Sequence, residues 1–407
     1  MPEAVIVATA RSPIGRAVKG SLAGVRPDDL AAVVVRAALD QVPALEPDLL
    51  DDLYLGCAQP SAEQGENLAR VVAVLLGHDR LPGSTVNRFC ASSVQTTRMA
   101  FHAIKAGEGD AFVSAGVECV SRYRFVADPG EANGSVQNPL FEPAQARTSA
   151  TIESNRAWSD PRFDGLLPDV YIAMGQTAEN VATLRGVSRQ AQDEWAVESQ
   201  NRTEKATVDG FFAREITPIT LPDGSVMTKD DSPRSGVTLD AVQGLKPVFR
   251  PDGTVTAGNC CPLNDGAAAV VVMSDTKAQQ LGIAPLARVV ATGVSGLSPE
   301  IMGLGPVQAS RQALARAGMS ISDIDLVEIN EAFAAQVLPS ADDLGVPYDK
   351  LNVHGGAIAL GHPFGMTGAR ITTTLLNGLA ARDGQFGLET MCVGGGQGMA
   401  IIYERLN

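Results

Sequence analysis

The chain carries one ordered pattern twice, and that repeat limits the folds open to it. Asp52-Leu53-Tyr54-Leu55 is echoed by Asp325-Leu326-Val327-Glu328-Ile329. Ser84-Thr85-Val86-Asn87 leads into a helix after Cys90, as Leu351-Asn352-Val353-His354-Gly355-Gly356 leads into one over roughly Met366 to Ala381. Thr390-Met391-Cys392-Val393-Gly394, followed by a strand from Gly398 to Glu404, then takes the place that Phe112-Val113-Ser114-Ala115-Gly116 holds earlier. Predicted strands at Val5 to Val7, Asp52 to Leu55 and Ala111 to Ala115 alternate with predicted helices at Pro27 to Gln41 and Glu66 to Leu76. A duplicated α/β unit follows, with a first half over 1–275 and a second over 276–407.

The alternation fails between Glu118 and about Arg250, so an inserted region is expected at about 119–250. Its stretch from Asp128 to Ala150 is rich in Pro, Gly, Asn, Ser and Gln. Helices are predicted at Met174 to Leu184 and Ser188 to Ala206, the second opened by Ser188. Excursions of this length from a compact sheet are often lids or binding elements.

A chain of 407 residues with 45% hydrophobic content is long enough to bury a large core. Its 32 basic and 46 acidic residues give a net charge of −14, which disfavours nucleic acid as a partner. Any anionic substrate therefore needs a local basic contact. Apolar runs such as Ala31 to Val35 and Ala267 to Met273 are too short to span a bilayer, so no membrane partner is expected. The N-terminal segment reads unlike a signal or transit peptide, and cytoplasmic residence is the expectation. The six cysteines lack C-x-x-C or Cys/His spacing, which points to neither a disulfide framework nor a metal site.

Three segments set reactive side chains against small residues: Asn87-Arg88-Phe89-Cys90-Ala91-Ser92-Ser93, Gly361-His362-Pro363-Phe364-Gly365 and Cys392-Val393-Gly394-Gly395-Gly396. Cys90 falls at a predicted helix start, where peptide dipoles favour the thiolate; Ser92 or Ser93 is a competing helix cap. His362 sits between Gly and Pro, a setting suited to holding an imidazole rigidly, with His354 as a second candidate. Cys392 precedes a glycine run that either directs N–H groups at an oxyanion or simply makes a tight turn. Asn330 follows a predicted strand and either donates a hydrogen bond into a site or caps the next helix.

Taken together, these segments resemble the thiolase family, the acetyl-CoA acyltransferases. The resemblance extends over Val5 to Gly15, Gly65 to Arg70, Met174 to Asn180, Thr254 to Asn259, Asn264 to Ala268, Asn330 to Ala334 and Gly355 to Arg370. It implies a duplicated five-layer α/β/α/β/α core with a loop domain inserted in the first half. It also implies ping-pong acyl transfer to or from coenzyme A, with Cys90 as nucleophile, His362 as its base and Cys392 as acid/base at the acetyl-CoA α-carbon. The enolate oxygen would be held by His362 and a water on Asn330, and the thioester oxygen by the N–H groups of Cys90 and Gly394.

On the binding side, the resemblance assigns Arg234 to the nucleotide end of coenzyme A, Ala257 to the pantetheine tunnel and Phe333 to the apolar acyl wall. His354, where asparagine is common in the family, joins the cofactor-binding candidates. Ala241 and Cys261 depart from serines that many members place near pantetheine. Ala173, where short-chain members often have histidine, and a long stretch from Ser121 to Ile172 favour a degradative 3-ketoacyl-CoA thiolase, including one for a dicarboxylic chain, over a short-chain acetoacetyl-CoA enzyme. The remaining alternatives are a noncatalytic acyl-CoA-binding protein on the same fold and a condensing enzyme with histidine or glutamate in place of Cys392. Coenzyme A and acyl-CoA are then substrates rather than resident cofactors, and the protein is a homodimer or homotetramer.

Overall fold

The computed structural model describes residues 1–123, 137–154 and 156–407. Residues 128–136 of the polar stretch noted above lie outside them. A 10-stranded sheet organises the chain, nine of its strands in one path and the short strand Gly15–Arg16 pairing off it. Its principal strands are β1 (Ala4–Arg11), β2 (Asp52–Gly56), β3 (Gly83–Val86), β4 (Ala111–Cys119), β5 (Asn264–Ser274), β6 (Ala287–Gly296), β7 (Leu326–Ile329), β8 (Phe386–Val393) and β9 (Gln397–Arg405), in the order β7-β8-β9-β6-β1-β5-β4-β2-β3.

The pairing pattern repeats. β2 runs parallel to β4, β4 antiparallel to β5 and β5 antiparallel to β1. In the same way β7 is parallel to β8, β8 antiparallel to β9 and β9 antiparallel to β6. Even β3, which flanks β2, has a counterpart in the parallel bridge between Val327 and Leu351. The two runs meet only where Val5 and Ile6 of β1 pair with Arg288 and Ala287 of β6.

Alternate side chains of a strand face opposite ways, so each run needs cover on both faces. Helices α1 (Pro27–Leu39) and α2 (Leu68–Leu75) cover one face of the first run, packing Leu30, Val34 and Val72 on Val5, Leu53, Val113 and Val271. Ile6, Phe112, Val270 and Val272 on its other face meet α3 (Ser92–Ala106) and a helix at Thr367–Ala381. Met391, Met399 and Ile401 of the second run close that middle layer. Two further helices, Gly305–Ala317 and Ala334–Leu344, cover the last face through Ala313, Leu314, Val337 and Ala341. The result is the five-layer α/β/α/β/α core.

In the inserted region, α4 (Met174–Arg185) and α5 (Arg189–Val208) form close to the expected bounds, and the Ser188 side chain accepts from the Ala191 N–H as an N-cap. The helices at Gly305–Ala317, Ala334–Leu344 and Thr367–Ala381 are α6, α7 and α8. Arg11, fully buried at the end of β1, anchors the insert. Its Nε donates to Glu215 at 2.9 Å, and its Nη1 and Nη2 grip both oxygens of Asp230 at 2.8 and 3.1 Å.

Removing one partner of a buried ion cluster strands the other charges. Arg11→Ala is expected to lower unfolding free energy by about 3–5 kcal/mol in urea titration; a loss under about 1 kcal/mol would show that the cluster behaves like a surface pair.

Candidate active site

Cys90 lies on a 3₁₀ turn, Phe89–Ala91, that runs directly into α3. The turn is held by Ser92, whose hydroxyl donates to the Phe89 carbonyl at 2.6 Å and accepts from the Arg88 N–H at 3.0 Å. Ser93 accepts from the Ala369 N–H at 3.0 Å. Both serines therefore fasten the backbone around Cys90, and neither caps α3. Phe89 adopts φ 44°, a left-handed conformation uncommon for a bulky residue, and its ring lies against Gly394 and Gly395.

The glycine run after β8 turns back over this helix start. The Gly394 N–H donates to the Cys90 sulfur, and Gly395 and Gly396 take φ of 73° and 79°. A Cβ on Gly396 would stand 2.2 Å from the Leu297 carbonyl oxygen, so glycine is required there. Cys392, wholly buried at the end of β8, lies within electrostatic reach of Cys90. Burial pushes the Cys90 thiol up to about 11 against the pull of the Gly394 N–H, and it pushes Cys392 further up still. This runs against the expectation from the helix start: burial raises both groups, and both rest as thiols.

His362 is held by three contacts. Gly361, at φ 112°, leaves room for the Asn264 side chain, which a Cβ would meet at 2.5 Å, and Asn264 Oδ1 accepts the His362 N–H at 3.0 Å. Thr367 Oγ1 lies 2.7 Å from His362 Nδ1 and donates its own proton to the Pro363 carbonyl at 2.8 Å. Thr367 must therefore accept, which assigns the ring proton to Nδ1 and leaves a lone pair on Nε2. Burial, with help from the Arg370 charge, lowers His362 to about 3, so the imidazole is neutral. Asn330 follows β7 as expected, and its Nδ2 reaches His362 Nε2 directly at 3.3 Å. Its Oδ1 is buried without a partner.

The remaining candidates separate. Phe333 packs edge-on against Phe249 at 6.2 Å in an apolar cluster that contains Cys392, Met174 and Met302. Arg234 and Ala257 are exposed. Arg234 lies just beyond Ser232, whose Oγ accepts from Asn264, the residue holding His362. His354 is not brought to the group. Its ring stacks on Phe211 at 3.7 Å beside Gly378, whereas His362 meets the first residue of α8. Gly378 and Thr367 are eleven residues apart on that helix, about 16 Å at its rise per residue.

Several participants were not anticipated. Glu118, Asn264 and Thr367 position the reactive groups, and Cys261 brings a third thiol within electrostatic reach of Cys90 and Cys392. For Glu118 the signal was an acid at the end of an otherwise apolar strand; Thr367 carried none. Among the described residues no group of three or more His, Cys, Asp or Glu side chains is placed to hold a metal ion, and no helix is long and apolar enough to cross a membrane.

Residues 4–276 match the family description "Thiolase, N-terminal domain" and residues 283–405 match "Thiolase, C-terminal domain". The chain belongs to the thiolase family. As a thiolase it is an acyltransferase, and it is 43% identical to a beta-ketoadipyl-CoA thiolase of Escherichia coli over 414 residues, with 100% of each chain covered. It is 41% identical to a 3-ketoacyl-CoA thiolase of Bacillus subtilis, covering 99% of this chain and 100% of that one. Human mitochondrial 3-ketoacyl-CoA thiolase superposes with a TM-score of 0.86 at 35% identity, covering 100% of this thiolase and 99% of the human chain.

A buried imidazole held neutral opposes acid. The His354 ring, lowered to about 4 by burial and then by Arg382, contributes stability that is lost as pH falls below its unfolded value of about 6.5. His354→Phe keeps a ring on Phe211 and removes that titration. The variant's melting temperature should therefore fall less than the parent's between pH 7.5 and pH 5, by the equivalent of about 1 kcal/mol after discounting for partial exposure. A difference that stays constant across this range would contradict the assignment.

Proposed function

We propose that this thiolase cleaves 3-ketoacyl-CoA with coenzyme A through an acyl-thioester on Cys90. The observation that carries the reading is the pair of buried thiols in mutual electrostatic reach, one accepting the Gly394 N–H, together with a neutral imidazole whose unprotonated Nε2 accepts from the Asn330 amide. Relatives described as 3-ketoacyl-CoA and beta-ketoadipyl-CoA thiolases support the same direction.

In this mechanism His362 Nε2 takes the Cys90 proton and the sulfur attacks the 3-keto carbon. The C2–C3 bond breaks, its electron pair passes into the enolate of acetyl-CoA, and Cys392 delivers a proton to C2. Incoming coenzyme A gives its thiol proton to Cys392 and attacks the Cys90 thioester. Cys90 then leaves and recovers its proton from His362. The Gly394 N–H, bound to sulfur in the resting enzyme, joins the Cys90 N–H at the thioester oxygen, while His362 and a water on Asn330 hold the enolate oxygen.

Arg234 and Ala257 serve the nucleotide and pantetheine parts of coenzyme A, and Phe333 serves the acyl wall. His354 is left out of the binding set because of its place beside Phe211. A short-chain acetoacetyl-CoA role is the lesser reading, since Ala173 offers no imidazole before Met174. Division into halves at about residue 275, with the insert at about 119–250, belongs to this reading. So does a dimer or larger homo-oligomer. Cytoplasmic residence fits six free thiols.

Cys90→Ala is expected to reduce coenzyme A-dependent loss of 3-ketoacyl-CoA absorbance by roughly a thousandfold or more, and retained turnover would sink the proposal. Cys392→Ser should slow proton exchange at the acetyl-CoA α-carbon by about 10²–10⁴-fold while an acyl adduct on Cys90 still forms by mass spectrometry. Undiminished exchange would remove Cys392 from its role.

A further inference from the structure

We propose that a cavity between the inserted region and the turn at Pro299–Leu304 is a subsite for a carboxylate at the far end of the acyl chain, anchored by Arg250. This rests on the thiolase reading and names its substrate class: 3-ketoacyl-CoA whose chain ends in a carboxylate. The cavity encloses about 520 Å³, with Arg147, Ile172, Trp158, Asn180, Arg250 and Glu300 among its lining residues. That volume suits part of a small ligand.

Arg250 is 4% exposed, yet among the described residues it has no carboxylate within hydrogen-bond distance. Its Nε donates to Gln176 Oε1 at 2.8 Å, and its Nη2 donates to Asn180 Oδ1 at 2.7 Å and the Gln176 carbonyl at 3.4 Å. All three acceptors are neutral. Among the described residues Nη1 donates to nothing. Glu179 is the one acid whose charge reaches Arg250, and its oxygens are already bound by the N–H groups of Thr254 and Val255. At the wall of a cavity, a guanidinium whose hydrogen-bond partners are all neutral and whose Nη1 is unpaired among the described residues leaves its fork open to an anion, and that fork matches a carboxylate.

The cavity's own acids do not fill that role. Glu300 Oε2 accepts from the Trp158 indole N–H at 2.6 Å and Oε1 from the Asp169 N–H at 2.8 Å, so both oxygens are committed to the insert. Glu153 and Asp164 are exposed. Arg147 adds a second cation that donates only to the carbonyls of Pro143 and Leu167.

The cavity also lies next to the chemistry. Phe249 immediately precedes Arg250 and packs on Phe333; with Met174 and Met302 the two rings form the apolar cluster that holds Cys392. Helix α4 touches this wall at Gly175, where a Cβ would stand 2.3 Å from the Phe249 ring. In this proposal the acyl chain runs from the Cys90 thioester along these rings towards Arg250, which follows Phe249 in sequence and lines the cavity.

The test compares 3-oxoadipyl-CoA with 3-oxohexanoyl-CoA, which have the same number of acyl carbons and differ in the distal carboxylate. The parent protein is expected to show the higher kcat/KM on the dicarboxylic compound. Arg250→Gln should lower that value by about 10- to 100-fold, mainly through KM, and affect the monocarboxylic compound far less; Arg250→Lys should recover part of the loss. Equal losses on both compounds, or a parent that favours the monocarboxylic one, would overturn the inference, and the parent ratio decides it even if the variants do not fold. Turnover of neither compound with coenzyme A overturns the thiolase reading instead.

Discussion

Four N–H groups converge on the Glu118 carboxylate, which is fully buried and has no cation beside it. The backbone N–H groups of Ala58 and Gln59 donate at 2.8 and 3.2 Å, the Gln64 amide at 2.8 Å, and the N–H of Gly365 at 2.9 Å. Three of these belong to the segment that follows β2, and the fourth belongs to the loop that carries His362. Burial raises the carboxyl's pKa and the N–H bonds pull it back. Its position is enforced from both sides, because a Cβ on Gly116 would stand 1.9 Å from the Gly365 carbonyl oxygen. The distance between the Cys90 turn and the His362 loop is therefore set by contacts that leave no slack, and the duplicated halves meet in one geometry.

A site this dry also decides its own charge state. Burial raises the Cys90 thiol and lowers the His362 imidazole, so moving the proton from sulfur to imidazole in the resting protein is uphill. A standing thiolate–imidazolium pair is thus disfavoured, and the proposed mechanism is best served by proton transfer that accompanies attack. In the proposed mechanism the N–H of Gly394 and the amide of Asn330, held at the Cys90 sulfur and at His362 Nε2 in the resting protein, turn to the developing charge, which is when fixed dipoles contribute most.

How much of this was legible in the chain follows from the range of each interaction. The strand and helix periodicities are local, so the repeat, the helix start at Cys90 and the glycine-flanked His362 could be read directly. Contacts between halves could not. Nothing about Thr367 distinguishes it from any helix-opening threonine until His362 Nδ1 is seen against it, and Asn264 needs the β5 backbone to bring it to Gly361. The place of His354 was hidden for the same reason: its neighbours in sequence resemble a site, but its ring stacks on Phe211, away from His362. The helix start at Cys90 was read correctly, yet the protonation inferred from it was reversed, because a dipole is visible in sequence and desolvation is not.

Among the described residues the three buried arginines are treated in different ways. Arg11 has two carboxylates within hydrogen-bond distance. Arg370, whose Nε and Nη1 lack hydrogen-bond partners, still lies in the fields of Glu328, Glu215 and Glu389. Glu328 and Glu389 are themselves raised to about 8 by burial, so that cluster shares protons as well as charge. Arg250 has amide and carbonyl oxygens, and a single acid whose own bonds are made elsewhere. What sets Arg250 apart from Arg370 is its place at a cavity wall, where the proposed carboxylate of a substrate can reach it.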